Sequence, residues 1–314
     1  MNLVLRQIRP ATVEEWDATW RNCDYATYFH SREWAQIWRN YLPGKISPAP
    51  LLITFSDGKQ AVLPLSVQKR LKGWIDVYMS SLAGTYGGWI SCDRLETAHA
   101  NLLSQYLSTQ FKNLIWRANP YAPLANPNFQ LNKQEDETHA IQLSDRFDTI
   151  CKHWTKGHLS AARKAKNAGV TIRLANNLED WLTYYRLYEA TLKRWGDKAS
   201  TRYDWRLFEQ IFQCHSPHIK LWLATYENVI VAGALCFYAK SHAVYWHGAA
   251  LEEYFHLRPV NLLMYEAISD ACSHGFAWFD FNPSGGHEGV KAFKKSFGTQ
   301  VLPCPIIEHQ SVPV

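Results

Sequence analysis

The chain has 314 residues, room for two domains of ordinary size, and its 47% hydrophobic and 19% charged residues are the balance of a globular protein. A net charge of +5 is too mild for a dedicated DNA-binding protein, though it suits a phosphate-bearing ligand. The seven scattered cysteines form no Cys-x-x-Cys pair, which argues against a disulfide framework or structural zinc and for a reducing, cytoplasmic setting.

The N-terminus, MNLVLRQIRPATVEEW, lacks a signal-peptide core, and no apolar stretch is long enough to span a bilayer. LVLRQI predicts a strand, and SREWAQIWRNYL a helix behind a Ser31 cap, with Trp34, Ile37, Trp38 and Tyr41 on one face. APLLITF and QAVLPLSVQKR flank Asp57-Gly58 and read as a hairpin. DVYMSSLAGTYGGWIS predicts a strand running into a glycine-rich loop, followed by the helix ETAHANLLSQYLSTQF and the strand NLIWRANP. The Pro- and Asn-rich NPYAPLANPNFQLNKQEDETHA reads as a surface connection near a domain boundary.

A second unit follows. FDTICKHWTKGHLSAARKAKNAGV predicts a basic helical stretch ending at Gly169, with VTIRLA as a strand and LEDWLTYYRLYEATLKRW and TRYDWRLFEQIFQCH as helices. IKLWLATYENVIVAGALCFYAKSHAVYWHGAAL supplies three strands, turning at Glu227-Asn228 and Lys240-Ser241. A helix from Pro259 to Gly275 and the strand FAWFDFNP complete an α+β plan, of which the first half is a looser version.

The stretch from Ile219 to Asn282 resembles the core of GNAT acyltransferases. The C-terminal run Gly286, Glu288-Gly289-Val290, Phe293-Lys294 and Phe297-Gly298 resembles the FemAB/FemX-like peptidoglycan-bridge aminoacyltransferases within that superfamily. SAARKAKNAGV at 160–170 and LAGTYGGWI at 82–90 are similar to that group's basic helix and Tyr-Gly-Gly loop. The resemblance implies two tandem GNAT-like domains: a degenerate one at 1–142, a second at 143–298, and a tail at 299–314 packing back on the first. It also implies an acyltransferase moving an activated acyl or aminoacyl group to a primary amine on a cell-envelope or peptidoglycan precursor, with aminoacyl-tRNA or acyl-CoA as donor. Only about two dozen residues separate Trp195 from Ile219, too few for the long helical arm of some members, so the armless form is the closer match. Two other readings stay open: an acyl-CoA- or acyl-carrier-dependent N-acyltransferase of exopolysaccharide or secondary metabolism, and a silent ligand-binding module.

By resemblance Lys294 stabilises charge on the carbonyl or on the leaving group. Asp280, between Phe279 and Phe281, is either a base of raised pKa or a structural partner of an arginine. Glu288 and His287 either touch the acceptor or take its proton. Arg163 and Lys166 share a helix face able to meet phosphates or water. Tyr86 is a candidate acceptor contact, Trp246 and Tyr245 candidate donor flanks or core, and Phe293 and Asn282 candidate substrate contacts. Arg258 is what remains of the superfamily's glycine-rich pyrophosphate loop, and Pro259 removes an N–H there. No histidine pair sits at metal-ligand spacing, so no metal is expected.

Overall fold

The computed structural model describes residues 2–122, 124, 132–144, 146–199, 201–284 and 288–310. In chain order the elements are β1 (Leu5–Pro10), α1 (Val13–Asn22), α2 (Arg32–Tyr41), β2 (Ile46–Pro48), β3 (Leu51–Phe55), β4 (Gln60–Leu63), β5 (Ser66–Arg70), β6 (Ile75–Met79), α3 (Thr97–Gln110), β7 (Asn113–Arg117) and β8 (Asn132–Gln134). There follow β9 (Glu137–Gln142), α4 (Phe147–Lys152), α5 (His158–Asn167), β10 (Thr171–Leu174), α6 (Leu178–Trp195), α7 (Trp205–Gln213), β11 (Ile219–Tyr226), β12 (Val229–Ala239), β13 (His242–Ala250), α8 (Pro259–Ser273), β14 (Trp278–Asp280), α9 (Glu288–Lys295), β15 (Gln300–Pro303) and β16 (Ile306–Gln310).

Two compact units result, 1–138 with 302–314, and 139–301. The first holds a sheet ordered β1-β3-β4 and another ordered β2-β5-β6-β7-β16-β8. Its start is fixed locally. Thr12 and Glu15 close a capping box on α1, and the Ser31 hydroxyl accepts from Trp34 N at 3.1 Å, caps each worth about 1 kcal/mol. The C-terminal tail supplies β16, which runs antiparallel to β7 from Ile306 opposite Arg117 to Gln310 opposite Asn113.

The second unit is one sheet ordered β10-β11-β12-β13-β14-β9-β15. The meander β11-β12-β13 is antiparallel, and its first turn uses Glu227 and Asn228, both at positive φ. β13 and β14 are parallel, joined through α8. One apolar cluster on the α8 face contains Met264, Phe279, Phe281 and Phe297. The basic stretch read as continuous helix is two helices. It breaks at Thr155, whose N–H leaves the helical pattern to donate to Ser296 O at 2.7 Å and so ties this corner to the end of α9. Among the described residues no helix is long and apolar enough to cross a membrane.

Candidate active site

β13 and β14 stay paired only from His242 opposite Trp278 to Val244 opposite Asp280. Beyond that point β13 continues to Ala250 while β14 ends, so the two strands part in mid-sheet. At the same level β13 slips by one residue against β12: Tyr245 faces Cys236 and His247 faces Leu235, leaving Trp246 as the extra residue of a bulge. A bulge re-aims side chains and takes a backbone segment out of the ladder. The sheet therefore offers a gap with loosened backbone on one wall.

Side chains dress the gap differently on its two faces. On the α8 face Tyr245 packs edge-on to Phe281, ring centres 6.1 Å apart, and its phenol lies across Gly248, where a Cβ would fall 1.8 Å from the oxygen. Burial raises the Tyr245 pKa, so the phenol stays protonated. On the α6–α7 face Trp246 stacks on Tyr203 at 5.6 Å, and the His247 ring is edged by Tyr184, Tyr188 and Phe208.

His247 belongs to no sequence motif. Burial among these rings lowers its pKa to about 4, so the imidazole is neutral near pH 7. The Tyr184 hydroxyl donates to the His247 carbonyl at 3.1 Å and lies 2.5 Å from Nδ1. A phenol has one proton. With that proton on the carbonyl, Nδ1–H donates to the phenol oxygen and Nε2 carries the lone pair. Nε2 makes no hydrogen bond among the described residues. A histidine one place past an aromatic pair on a strand has no motif around it, and only the fold brings Tyr184 to it.

The C-terminal signature proves to be the buttress of the β14 end. Lys294 is only 3% exposed, and its Nζ donates to Asn282 O at 2.5 Å. Asp280 is fully buried and its Oδ1 accepts from Asn282 N at 2.6 Å. Together they grip both sides of Asn282, which sits at φ +59°. Asp280 thereby holds a backbone amide of the turn that follows β14. Within the buried turn Asn282 Oδ1 and Ser284 Oγ have no hydrogen-bond partner among the described residues. Phe297 stacks on Phe281 at 5.3 Å, and Gly298, at φ +68°, lies so close to the α4–α5 corner that a Cβ would be 2.7 Å from His153 O. Phe293 packs on Phe297 at 5.1 Å and is half-buried.

The other candidates are scattered. Glu288 stands at the start of α9 with its side chain 86% exposed, paired with Lys291 at 3.5 Å, an arrangement that favours the helix end rather than a shielded base. Arg163 and Lys166 are exposed on α5. Arg258 is exposed at φ +60° just before α8, whose first residue Pro259 lacks an N–H. His287 lies outside the described residues, as does Gly286. Tyr86 is fully buried in the first unit, edge-on to Phe29 and Tyr121. A surface cleft lined by Asn176, Trp181, His215 and Lys220 opens by β10 and β11, two strands from the gap. Among the described residues no group of three or more His, Cys, Asp or Glu could hold a metal.

The second unit thus combines a parallel strand pair that parts in mid-sheet with a bulge on its longer strand. Residues 156–295, within the second unit, match the family model described as an acetyltransferase (GNAT) domain, and the protein is an acyltransferase. Over its whole length it is similar to the crystal structure of FemX, with a TM-score of 0.75 at 16% identity, covering 97% of each chain. The C-terminal domain of a putative lysylphosphatidylglycerol synthetase from Agrobacterium fabrum gives 0.56 at 11% identity, over 95% of this chain and 92% of that one. A tandem GNAT protein from the clavulanic acid biosynthesis pathway gives 0.54 at 9% identity, over 99% and 100%. No curated protein matches the sequence.

Proposed function

We propose that the protein transfers an activated acyl or aminoacyl group from an ester or thioester donor to a primary amine, the acceptor being a cell-envelope precursor of the peptidoglycan class. The observation that carries this reading is the gap itself, with a neutral histidine lone pair on the neighbouring wall. The acceptor nitrogen attacks the acyl carbonyl, an N–C bond forms, and the C–O or C–S bond to the donor breaks. Nε2 of His247 accepts the N–H of the attacking amine and takes its proton, which the departing oxygen or sulfur finally receives. Backbone N–H groups freed by the Trp246 bulge meet the carbonyl oxygen as it gains charge. Trp246 and Tyr245 flank the donor. Lys294 and Asp280 act through Asn282, holding the β14 end where the carbonyl must lie, and Phe293 backs that turn. The exposed Arg163, Lys166 and Arg258 meet donor phosphates, while His287 and Glu288 border the acceptor.

A second reading, an acyl-CoA-dependent N-acyltransferase on a smaller amine, is favoured by the acetyltransferase match over the gap-bearing unit. Transfer assays with labelled acyl-CoA and with labelled aminoacyl-tRNA, each against amine acceptors, separate the two. Product from neither donor would refute both. Full transfer by a Lys294→Ala protein would remove Lys294 from the site.

A further inference from the structure

Away from the gap, the tip of the β5–β6 hairpin breaks the usual rules for a protein surface. Arg70 faces Ile75 in the ladder, so Leu71, Lys72, Gly73 and Trp74 form the connection. Trp74 is 86% exposed and Leu71 68%. Large apolar side chains left this open forgo the gain from burial, and an indole is seldom spent so at a loop apex.

The backbone holds them outward. Leu71, Lys72 and Gly73 all have positive φ, at 47°, 57° and 95°, and Trp74 N donates to Leu71 O at 3.2 Å to close the turn. Two successive non-glycine residues in the left-handed region carry strain that an ordinary glycine-rich turn avoids. Lys69 and Arg70 come just behind the apex and Lys72 lies within it, and Asp76 is the one acid between Ser66 and Met79. Arg70 is steadied by its Nε donating to Gln68 Oε1 at 3.1 Å. Apolar groups are therefore at the tip, with one cation between them and two behind.

We propose that this hairpin tip docks the protein on an anionic lipid surface. Trp74 and Leu71 enter the boundary between headgroups and acyl chains, while Lys69, Arg70 and Lys72 meet the lipid phosphates. The order of side chains matches the order of layers in such an interface. RNA would also attract cations and stack on an indole, but Leu71 beside it has no π face and suits hydrocarbon. A single hairpin anchors weakly and reversibly, and added salt weakens it through its cations. The idea owes nothing to the transfer chemistry, and its test leaves that chemistry intact.

The test is sedimentation of the full chain with vesicles of phosphatidylcholine alone and of phosphatidylcholine mixed with phosphatidylglycerol. Binding is expected only to the mixed vesicles, and it should fall as salt rises. A Leu71→Ser/Trp74→Ser variant and a Lys69→Gln/Lys72→Gln variant should each bind about tenfold more weakly. Trp74→Phe should retain most of the binding. Transfer to a soluble acceptor should be unchanged in all three. The proposal falls if the parent protein ignores phosphatidylglycerol, if the variants bind vesicles as it does, or if they lose RNA binding while vesicle binding persists.

Discussion

Each unit contains a parallel strand pair joined through a helix, and these two pairs end in opposite ways. In the C-terminal unit β13 and β14 part after Val244 and Asp280. In the N-terminal unit β6 and β7 are paired at Tyr78–Leu114 and Met79–Ile115, and the next positions are filled by the chain itself. Ser80 N donates to Ile115 O at 3.0 Å, Ser80 Oγ accepts from Arg117 N at 2.9 Å, and Gly87 N donates to Arg117 O at 3.1 Å. The Tyr86-Gly87-Gly88 loop is the plug. Gly87 lies so tightly on Ser80 that a Cβ would be 2.3 Å from its carbonyl oxygen. The same local plan serves as a scaffold where the gap is sealed and as an active site where it is left open.

That contrast can be broken from either side. The largest effect is expected at His247: His247→Asn should cut kcat/KM about a hundredfold, the low end for loss of a general base, with little change in stability. Tyr184→Phe removes the group that fixes the tautomer and should lower kcat more than it changes KM. Activity unaltered by both would leave the open gap without its base.

Gly298→Ala and Gly87→Ala form a matched pair. Each introduces a Cβ into backbone, so each should cost about 1–3 kcal/mol in urea unfolding. Only Gly298→Ala should also reduce kcat, because Gly298 and Phe297 brace the end of β14. Equal kinetic damage from Gly87→Ala would contradict the scaffold role of the sealed pair.

A smaller effect concerns pH. His30 is buried in the first unit, where its Nδ1 accepts from Thr27 N at 3.1 Å, and burial lowers its pKa to about 4. The unfolded chain protonates near pH 6.5, before the folded one, so this site favours the folded state fully above that pH. The advantage is lost as pH falls from about 6.5 to about 4, by up to ~3 kcal/mol. His30→Gln should flatten that dependence in unfolding curves recorded across this range.

Much of this architecture was legible before any coordinates. The cap at Ser31, the Asp57-Gly58 and Glu227-Asn228 turns and the order of strands are local signals, set by residues near one another in sequence. The C-terminal signature was legible as a motif, but its work was not. Lys294 and Gly298 act on Asn282 and His153, contacts made only when α9 folds against β14 and the α4–α5 corner. Likewise Tyr86-Gly87-Gly88 reads as a ligand loop until its glycine is seen against Ser80. His247 carried no signal at all, since the base role proposed for it depends on Tyr184, 63 residues away.

The central claim is that one parallel pair admits the donor and the other does not. Hydrogen exchange with and without a non-transferable donor tests it directly, using an acyl-CoA thioether or an amide-linked aminoacyl-RNA, whichever parent donor supports transfer. Slowed exchange at 245–250 and 281–284, with none at 80–88 and 114–117, is the expected result. Protection of the sealed pair, or of neither, would contradict it.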